Sequence, residues 1–231
     1  MTETSGIIYL VPTPIGNMSD MTQRIIDTLA SVDIVACEDT RHSGSLMKKL
    51  ELKKKLVSYH EFNESERAIQ LVKAVQEGQS IAVITDAGSP GISDPAYRIV
   101  KMAIENNLTI IPLPGPTAFV PALTASGLPT DRFFFEGFLS NKSAARKKRL
   151  TQLIDFPHTI ILYESPHRIE KTVNDIFEVF GDRQICIARE ITKKFEQFIR
   201  GSVTEVIEIL AQKKLKGEIV IVIEGNRKKI K

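Results

Sequence analysis

Apolar residues in this chain come in short continuous blocks, separated by longer stretches in which they recur at helical spacing. Residues 6–11 (Gly-Ile-Ile-Tyr-Leu-Val), 32–36, 56–59, 80–84 and 108–112 are blocks rich in Ile, Val and Leu. Their length and continuity predict strands buried on both faces. Between them, Arg24, Ile25, Ile26 and Leu29, then Leu46, Met47 and Leu50, then residues 65–77, then Tyr97, Ile99, Val100, Ala103 and Ile104 follow the 3.6-residue period of amphipathic helices. Strand and helix alternate five times, so a parallel α/β domain is expected over this half of the chain.

The connection after the fourth block carries the densest turn chemistry: Thr85-Asp86-Ala87-Gly88-Ser89-Pro90-Gly91-Ile92-Ser93-Asp94-Pro95. A buried parallel strand would deliver this loop to the carboxyl edge of the sheet, where open α/β sheets bind ligands. Gly88 and Gly91 permit close backbone approach, and Pro90 and Pro95 stiffen the loop. A plain connection would use Ser93 or Asp94 as N-cap and Pro95 as the first helical residue. After the first block, Pro12-Thr13-Pro14-Ile15-Gly16-Asn17 stands where a dinucleotide-binding fold places G-x-G-x-x-G, with a helix cap expected at Ser19 or Asp20. Prolines lack the N–H that would meet a pyrophosphate, which disfavours an NAD or FAD site, and no P-loop motif occurs anywhere.

Two further strand ends carry polar groups. Glu38-Asp39-Thr40-Arg41 follows the second block, where internal pairing and contact with a polar substrate are both open readings. His60-Glu61-Phe62-Asn63-Glu64 follows the third; His60 and Glu61 could move a proton, or His60 could be a hydrogen-bonded structural residue.

Leu113-Pro114-Gly115-Pro116-Thr117-Ala118 is the strongest punctuation in the chain. It predicts a boundary between an N-terminal α/β domain over residues 1–116 and a C-terminal one over residues 117–231. The latter opens with a small-residue helix at 118–126. Strands are expected at 132–136, 158–163, 184–188, 195–200 and 218–223, with helices at 142–154, 168–180 and 204–212. Several neighbouring strands could pair as hairpins, so this second sheet is expected to be mixed.

Composition narrows the class. The 231 residues are 42% hydrophobic, enough for two cores, and no apolar run approaches the ~20 residues of a membrane span. The start Met1-Thr2-Glu3-Thr4-Ser5-Gly6 lacks the basic and apolar regions of a signal peptide, so a cytoplasmic protein with no membrane contact is expected. Cys37 and Cys186 lie in apolar blocks without His or Cys at ligand spacing, predicting buried free thiols and no metal site. The net charge of +3 conceals an asymmetry: residues 1–120 hold 11 Lys+Arg against 14 Asp+Glu, and the remainder 20 against 14. A basic second half fits a polyanion, and Lys142, Arg146, Lys147, Lys148 and Arg149 are its densest cluster, although a solvated lysine surface accounts for the charge equally well.

Taken in order, these loops resemble the tetrapyrrole methylase superfamily, and within it the branch that methylates ribosomal RNA at the ribose 2′-hydroxyl. The resemblance rests on Tyr9-Leu10-Val11-Pro12-Thr13-Pro14-Ile15-Gly16-Asn17, Glu38-Asp39-Thr40-Arg41, His60-Glu61-Phe62-Asn63-Glu64, Asp86-Ala87-Gly88-Ser89-Pro90 with Ser93-Asp94-Pro95, and Pro114-Gly115-Pro116-Thr117-Ala118. It continues through Ser126-Gly127-Leu128-Pro129-Thr130-Asp131, Phe135-Glu136-Gly137-Phe138-Leu139, Tyr163-Glu164-Ser165-Pro166-His167-Arg168 and Arg189-Glu190-Ile191-Thr192-Lys193. Ser89 departs from the Gly-Asp-Pro of corrin-pathway relatives.

The resemblance implies S-adenosylmethionine (SAM) folded in a cleft between two α/β domains. It also implies a homodimer, and as substrate a cytidine of the decoding region of 16S ribosomal RNA in the small subunit. Carried onto matching positions, the SAM contacts would be Pro12, Asp86, Gly88, Ile92, Ser93, Thr117 and Ala118, then Tyr163, Glu164 and Ile221. Candidates to take the hydroxyl proton are Glu38, Asp39, His60, Glu61, Glu64 and Lys193, while Arg41 and Arg189, with Lys142, Arg146, Lys147 and Arg149, suit phosphates. Two other classes stay open: a small-molecule methyltransferase of the corrin or siroheme pathway, and a non-catalytic ribosome-binding module on the same fold.

Overall fold

The structure, a computed structural model, describes residues 5–227; the start Met1-Thr2-Glu3-Thr4, read above for a leader, lies outside them. The chain divides into two compact units, Met1–Thr117 and Ala118–Lys231. Among the described residues no helix is long and apolar enough to cross a membrane.

The first unit runs β1 (Ile7–Leu10), α1 (Gln23–Ser31), β2 (Ile34–Cys37), α2 (Thr40–Lys49), β3 (Lys55–Ser58), α3 (Glu64–Gln76), β4 (Ile81–Val83), α4 (Tyr97–Glu105) and β5 (Thr109–Pro112). Its five strands form one sheet in the order β3-β2-β4-β1-β5, and every neighbouring pair is parallel. Alternate residues of the strands face opposite layers. Ile8, Ile34, Ala36, Ile81 and Val83 pack on Leu71, Val72 and Val75 of α3 and Ile99 and Ala103 of α4. Val35, Cys37 and Ala82 pack on Ile25 and Leu29 of α1 and Leu46 and Met47 of α2. Burial on both faces is why the strand blocks are continuously apolar.

Two helix starts differ from the sequence expectation. Met18–Asp20 form a separate 3₁₀ turn, and α1 begins after Thr22, whose hydroxyl accepts from the N–H of Ile25. Helix α4 begins at Tyr97, without a side-chain cap. Ser93 cannot cap it because its backbone is left-handed (φ 62°), and the Asp94 carboxyl is engaged by Thr85 instead.

The second unit runs α5 (Phe119–Thr124), β6 (Phe133–Phe138), α6 (Ser143–Leu153), β7 (Thr159–Glu164), α7 (Ile169–Phe180), β8 (Gln184–Arg189), β9 (Gln197–Ser202), α8 (Val203–Gln212) and β10 (Ile219–Ile223). Its sheet, in the order β6-β7-β10-β8-β9, is mixed: only β6 and β7 are parallel. A short helix, α5, packs on β7 and β10. Residues Leu150, Leu153, Ile160, Leu162, Val173, Ile176, Ile187, Val206 and Ile221 form the core under α6, α7 and α8. Ile221, implied by the resemblance as a SAM contact, is 0% exposed and its side chain is committed to this core.

One polar clasp holds α6 to α7. Arg146 Nε donates to Asp175 Oδ2 at 2.6 Å, Ser143 Oγ donates to the same carboxylate at 3.0 Å, and Arg146 Nη1 reaches Ser140 O at 3.1 Å. The two side chains are 3% and 7% exposed. Such a pair is stabilising only while both partners are present, because removing one strands a buried charge. Arg146→Ala is therefore expected to lower unfolding free energy by about 3–5 kcal/mol. A urea midpoint within experimental error of the parent protein would contradict this.

Candidate functional site

In the first sheet, the connection from β2 leads towards β3 at one edge, and the connection from β4 leads towards β5 at the other. Adjacent strands whose connections depart in opposite directions leave a crevice outside their carboxyl ends, and that crevice is where such sheets bind ligands. Glu38 and Asp39 follow β2, and Thr85 to Asp94 follow β4, so the topology brings these two polar segments together.

Side-chain contacts knit them. Thr13 Oγ1 donates to Thr85 O at 2.9 Å, Asp39 N to Asp86 Oδ1 at 3.4 Å, and Thr85 Oγ1 to Glu38 Oε2 at 3.4 Å. Thr85 is 3% exposed, and its hydroxyl also serves the Asp94 carboxyl. A threonine hydroxyl carries one proton, so it cannot donate to both carboxylates at once. Burial pushes the Glu38 carboxyl up, the charges of Asp94 and Asp86 add to that, and Thr85 and His60 partly oppose it. Burial likewise pushes Asp94 up. Thr85 and Asp94 were not among the site residues expected from sequence. Asp94 reads locally as a helix cap, and only the position of β4 beside β2 reveals its other partner.

The loop after β4 is fixed by pairing. Thr13 and Gly88 exchange two backbone hydrogen bonds, N–H to O at 2.9 and 3.0 Å, joining the loops after β1 and β4. Gly88 sits at φ 89°. Its role is therefore conformational: its own N–H and C=O are taken, and they are not offered to a ligand as its glycine character suggests. Ser89 Oγ donates to Pro116 O at 3.1 Å, tying in the Pro-Gly-Pro turn. Gly115 in that turn is sterically required, since a Cβ there would lie 2.8 Å from Pro12 Cβ. Pro12 itself is buried, Asp86, Ile92, Thr117 and Ala118 are partly exposed, and Ser93 is exposed. Among the described residues no protein acceptor meets the N–H of Ala87, Gly91 or Ser93.

The proton-acceptor candidates now separate. Asp39 caps α2 and is gripped by Arg41, with Nε and Nη2 at 3.2 and 2.8 Å; that hydrogen bond holds its carboxyl well below the usual range and makes it a weak base. Glu64 is bound by Arg98 at 2.6 Å. Glu61 is exposed. His60 Nε2 lies 3.3 Å from Asn63 Nδ2, and Nδ1 is buried without a partner. Lys193, in the second unit, is held by Glu190 at 3.0 Å and Glu218 at 2.9 Å. Burial works against its charge, but those bonds prevail and leave its pKa raised. An ammonium so held cannot accept a proton, which removes Lys193 as a base.

Other expected positions in the second unit are structurally occupied. Glu164 is 3% exposed and accepts from Thr172 Oγ1 at 2.5 Å, Ser165 N at 2.7 Å and Arg168 Nη2 at 3.2 Å, so it anchors the β7–α7 turn. Tyr163 packs edge-on to Phe135 and Phe138, at 5.0 and 5.5 Å. Arg189 donates to Lys216 O at 2.9 Å and Gln197 Oε1 at 3.2 Å. The basic cluster on α6 is largely neutralised: Arg146 is buried against Asp175, Lys147 bonds Glu178, and Arg149 forks onto Glu136 with both distances 2.7 Å. Arg146 is thus a packing residue and not an RNA contact. Lys142 and Arg41 stay exposed. No group of three or more His, Cys, Asp or Glu among the described residues could hold a metal ion.

Comparison with known proteins places this arrangement. The family described as Tetrapyrrole (Corrin/Porphyrin) Methylases matches residues 7–207. The ribosomal RNA small subunit methyltransferase I of Synechocystis sp. (strain ATCC 27184 / PCC 6803 / Kazusa) is 47% identical over 221 residues, covering 95% of this chain and 79% of that protein. The protein of the same name from Bacillus subtilis (strain 168) is 46% identical, covering 96% and 76%. Among solved structures, uroporphyrin-III-C-methyltransferase from Thermus thermophilus aligns with a TM-score of 0.65 at 20% identity, over 96% of this chain and 95% of that one. A cobalt precorrin-4 methyltransferase aligns with a TM-score of 0.69 at 17% identity, over 94% of each. At such identities the structural likeness speaks for the fold alone. The chain belongs to the Tetrapyrrole (Corrin/Porphyrin) Methylases, in the branch of the ribosomal RNA small subunit methyltransferase I proteins.

Proposed function

We propose that this chain is a SAM-dependent methyltransferase acting on 16S ribosomal RNA of the small subunit, and that the acceptor is the ribose 2′-hydroxyl of a cytidine in the decoding region. The observation that carries the reading is the 47% identity, over 95% of the chain, to a relative named for small-subunit ribosomal RNA methylation.

The donor set of the first unit fits SAM. The sulfonium and amino group are positive and suit an edge lined by Glu38, Asp86 and Asp94. The carboxylate of the methionine moiety needs N–H donors, which Ala87, Gly91 and Ser93 have available. Asp86, Ile92, Ser93 and Thr117 would hold the molecule. When bound, SAM supplies a methyl group on a positive sulfur, which the ribose oxygen displaces in line.

The protein's part is alignment and proton removal. Glu38 is the acceptor we assign: burial and the neighbouring Asp94 and Asp86 charges raise its carboxyl, whereas the hydrogen bond from Arg41 lowers that of Asp39, which makes Glu38 the better base of the two. Thr85 fixes its orientation, and the Asp86 and Asp94 charges keep its proton affinity high. Arg41, 90% exposed in its side chain, stands beside this edge to meet phosphate. The same reading carries a cytoplasmic homodimer.

Labelled SAM incubated with small ribosomal subunits should yield 2′-O-methylcytidine on nucleoside analysis; a methylated base would overturn the oxygen-nucleophile chemistry. Glu38→Gln should lower turnover by about 10²–10⁴-fold with SAM binding retained. Because Glu38 acts in its ionised form, parent activity should rise with pH through its raised pKa. The variant should lose that acid limb, and an unchanged pH profile would remove Glu38 from the chemistry. Sedimentation should give twice the chain mass of 25.8 kDa, and a monomer mass would exclude the homodimer.

A further inference from the structure

Of the four cations on α6, Arg146, Lys147 and Arg149 are neutralised by Asp175, Glu178 and Glu136 and Lys148 stays exposed, so this helix does not account for the positive excess of the second half. A share of it lies on two adjoining loops, residues 190–196 between β8 and β9 and residues 213–218 between α8 and β10. With Arg189 they hold six cations against three carboxylates. The carboxylates are already engaged: Glu190 and Glu218 by Lys193, and Glu196 by the N–H of Thr192 at 2.5 Å. Lys194, Lys213, Lys214 and Lys216 are exposed, and among the described residues no ion pair holds any of them.

An aromatic ring stands among these lysines. Phe195 is 64% exposed, with Lys194 Nζ 5.7 Å from its ring centroid. An exposed ring beside lysines is the combination on which unpaired bases stack. The turn presenting it is rigid. Glu190 and Thr192 hold left-handed backbone at φ 51° and 65°, and Glu190 Oε1 also accepts from Glu218 N at 3.1 Å. Arg189 stitches the two loops by donating to Lys216 O at 2.9 Å and Phe195 O at 3.5 Å. Little backbone ordering therefore remains to be lost on binding, and the cost falls on the lysine side chains.

We propose that these two loops are the RNA grip of the enzyme: Lys194, Lys213, Lys214 and Lys216 contact phosphates, and Phe195 stacks on an unpaired base of ribosomal RNA. This rests on the function proposed above. Phosphate neutralisation by lysines and base stacking on an exposed ring are the two general means of holding single-stranded nucleic acid, and both are present here on one preformed surface. The sequence-level RNA candidate in this region, Arg189, acts behind that surface as its brace.

The test uses the full chain and small-subunit ribosomal RNA transcript. Replacing all four lysines by alanine should weaken binding and flatten the plot of log affinity against log salt by about 3 units of slope. Phe195→Ala should cost about 5- to 100-fold in affinity at fixed salt, and Phe195→Trp should restore it. SAM binding and thermal midpoint serve as controls and should not move. If the lysine variant keeps the parent affinity and slope, the grip lies elsewhere and the proposal fails, while methyl transfer by the parent protein still upholds the enzyme reading. A parent protein that binds SAM but no ribosomal RNA overturns both. Equal binding of polyglutamate or anionic vesicles, lost in the same variants, would make this a general polyanion surface and overturn the assignment to RNA.

Discussion

The first unit depends on one hydroxyl serving two acids. Thr85 follows the central strand of a parallel sheet, buried, within reach of both Glu38 and Asp94, and it has a single proton to give. Everything around it serves to keep that arrangement: Thr13 holds its carbonyl, the Thr13–Gly88 bridge fixes the loop that follows, and Ser89 fastens the loop to the Pro-Gly-Pro turn. Burial and mutual repulsion raise the Glu38 and Asp94 carboxyls, and the Asp86 charge adds to both. A sulfonium ligand relieves that repulsion, which is why an acidic crevice suits a positively charged methyl donor and would reject a pyrophosphate.

Much of this was legible in the residues. Continuous apolar blocks indicated strands covered on both faces, and both helical layers are present. The mixed second sheet follows from hairpin-like spacing. Strand neighbours were not legible, because β4 pairs with β2 and β1 across separations of 47 and 73 residues, Ile34 with Ile81 and Ile8 with Ile81. Asp94 was therefore hidden in the guise of a cap, and Ser93 looked like another until its left-handed backbone excluded it. Gly88 stands out in the sequence for the backbone exposure a glycine permits, and its pairing with Thr13 takes up that backbone instead.

Charged side chains misled for a common reason: sequence shows charge but not partner. Arg146 and Arg149 sit in a run that reads as an RNA-binding helix, yet their guanidinium groups close onto Asp175 and Glu136 from other elements. Glu164 and Lys193 reverse the expected role in the same way, one bound by three donors and the other by two carboxylates. The lysines of residues 213–216 drew no attention because they lie in an unremarkable loop, and only their adjacency to the β8–β9 turn gives them a shared surface.

The strand order of the first sheet has a bearing on how it comes into being. β1 and β2 are separated by the width of β4, so the earliest two strands to be synthesised have no edge in common. Neither can zip to the other: β2 finds β3 beside it, but β1 has no neighbour until residues 81–83 arrive and fill the gap. The joining of β1 to β2 is thus postponed until just over a third of the polypeptide exists, and the nucleus is non-local, which makes for slow formation and prolonged exposure of unpaired edges to chaperones.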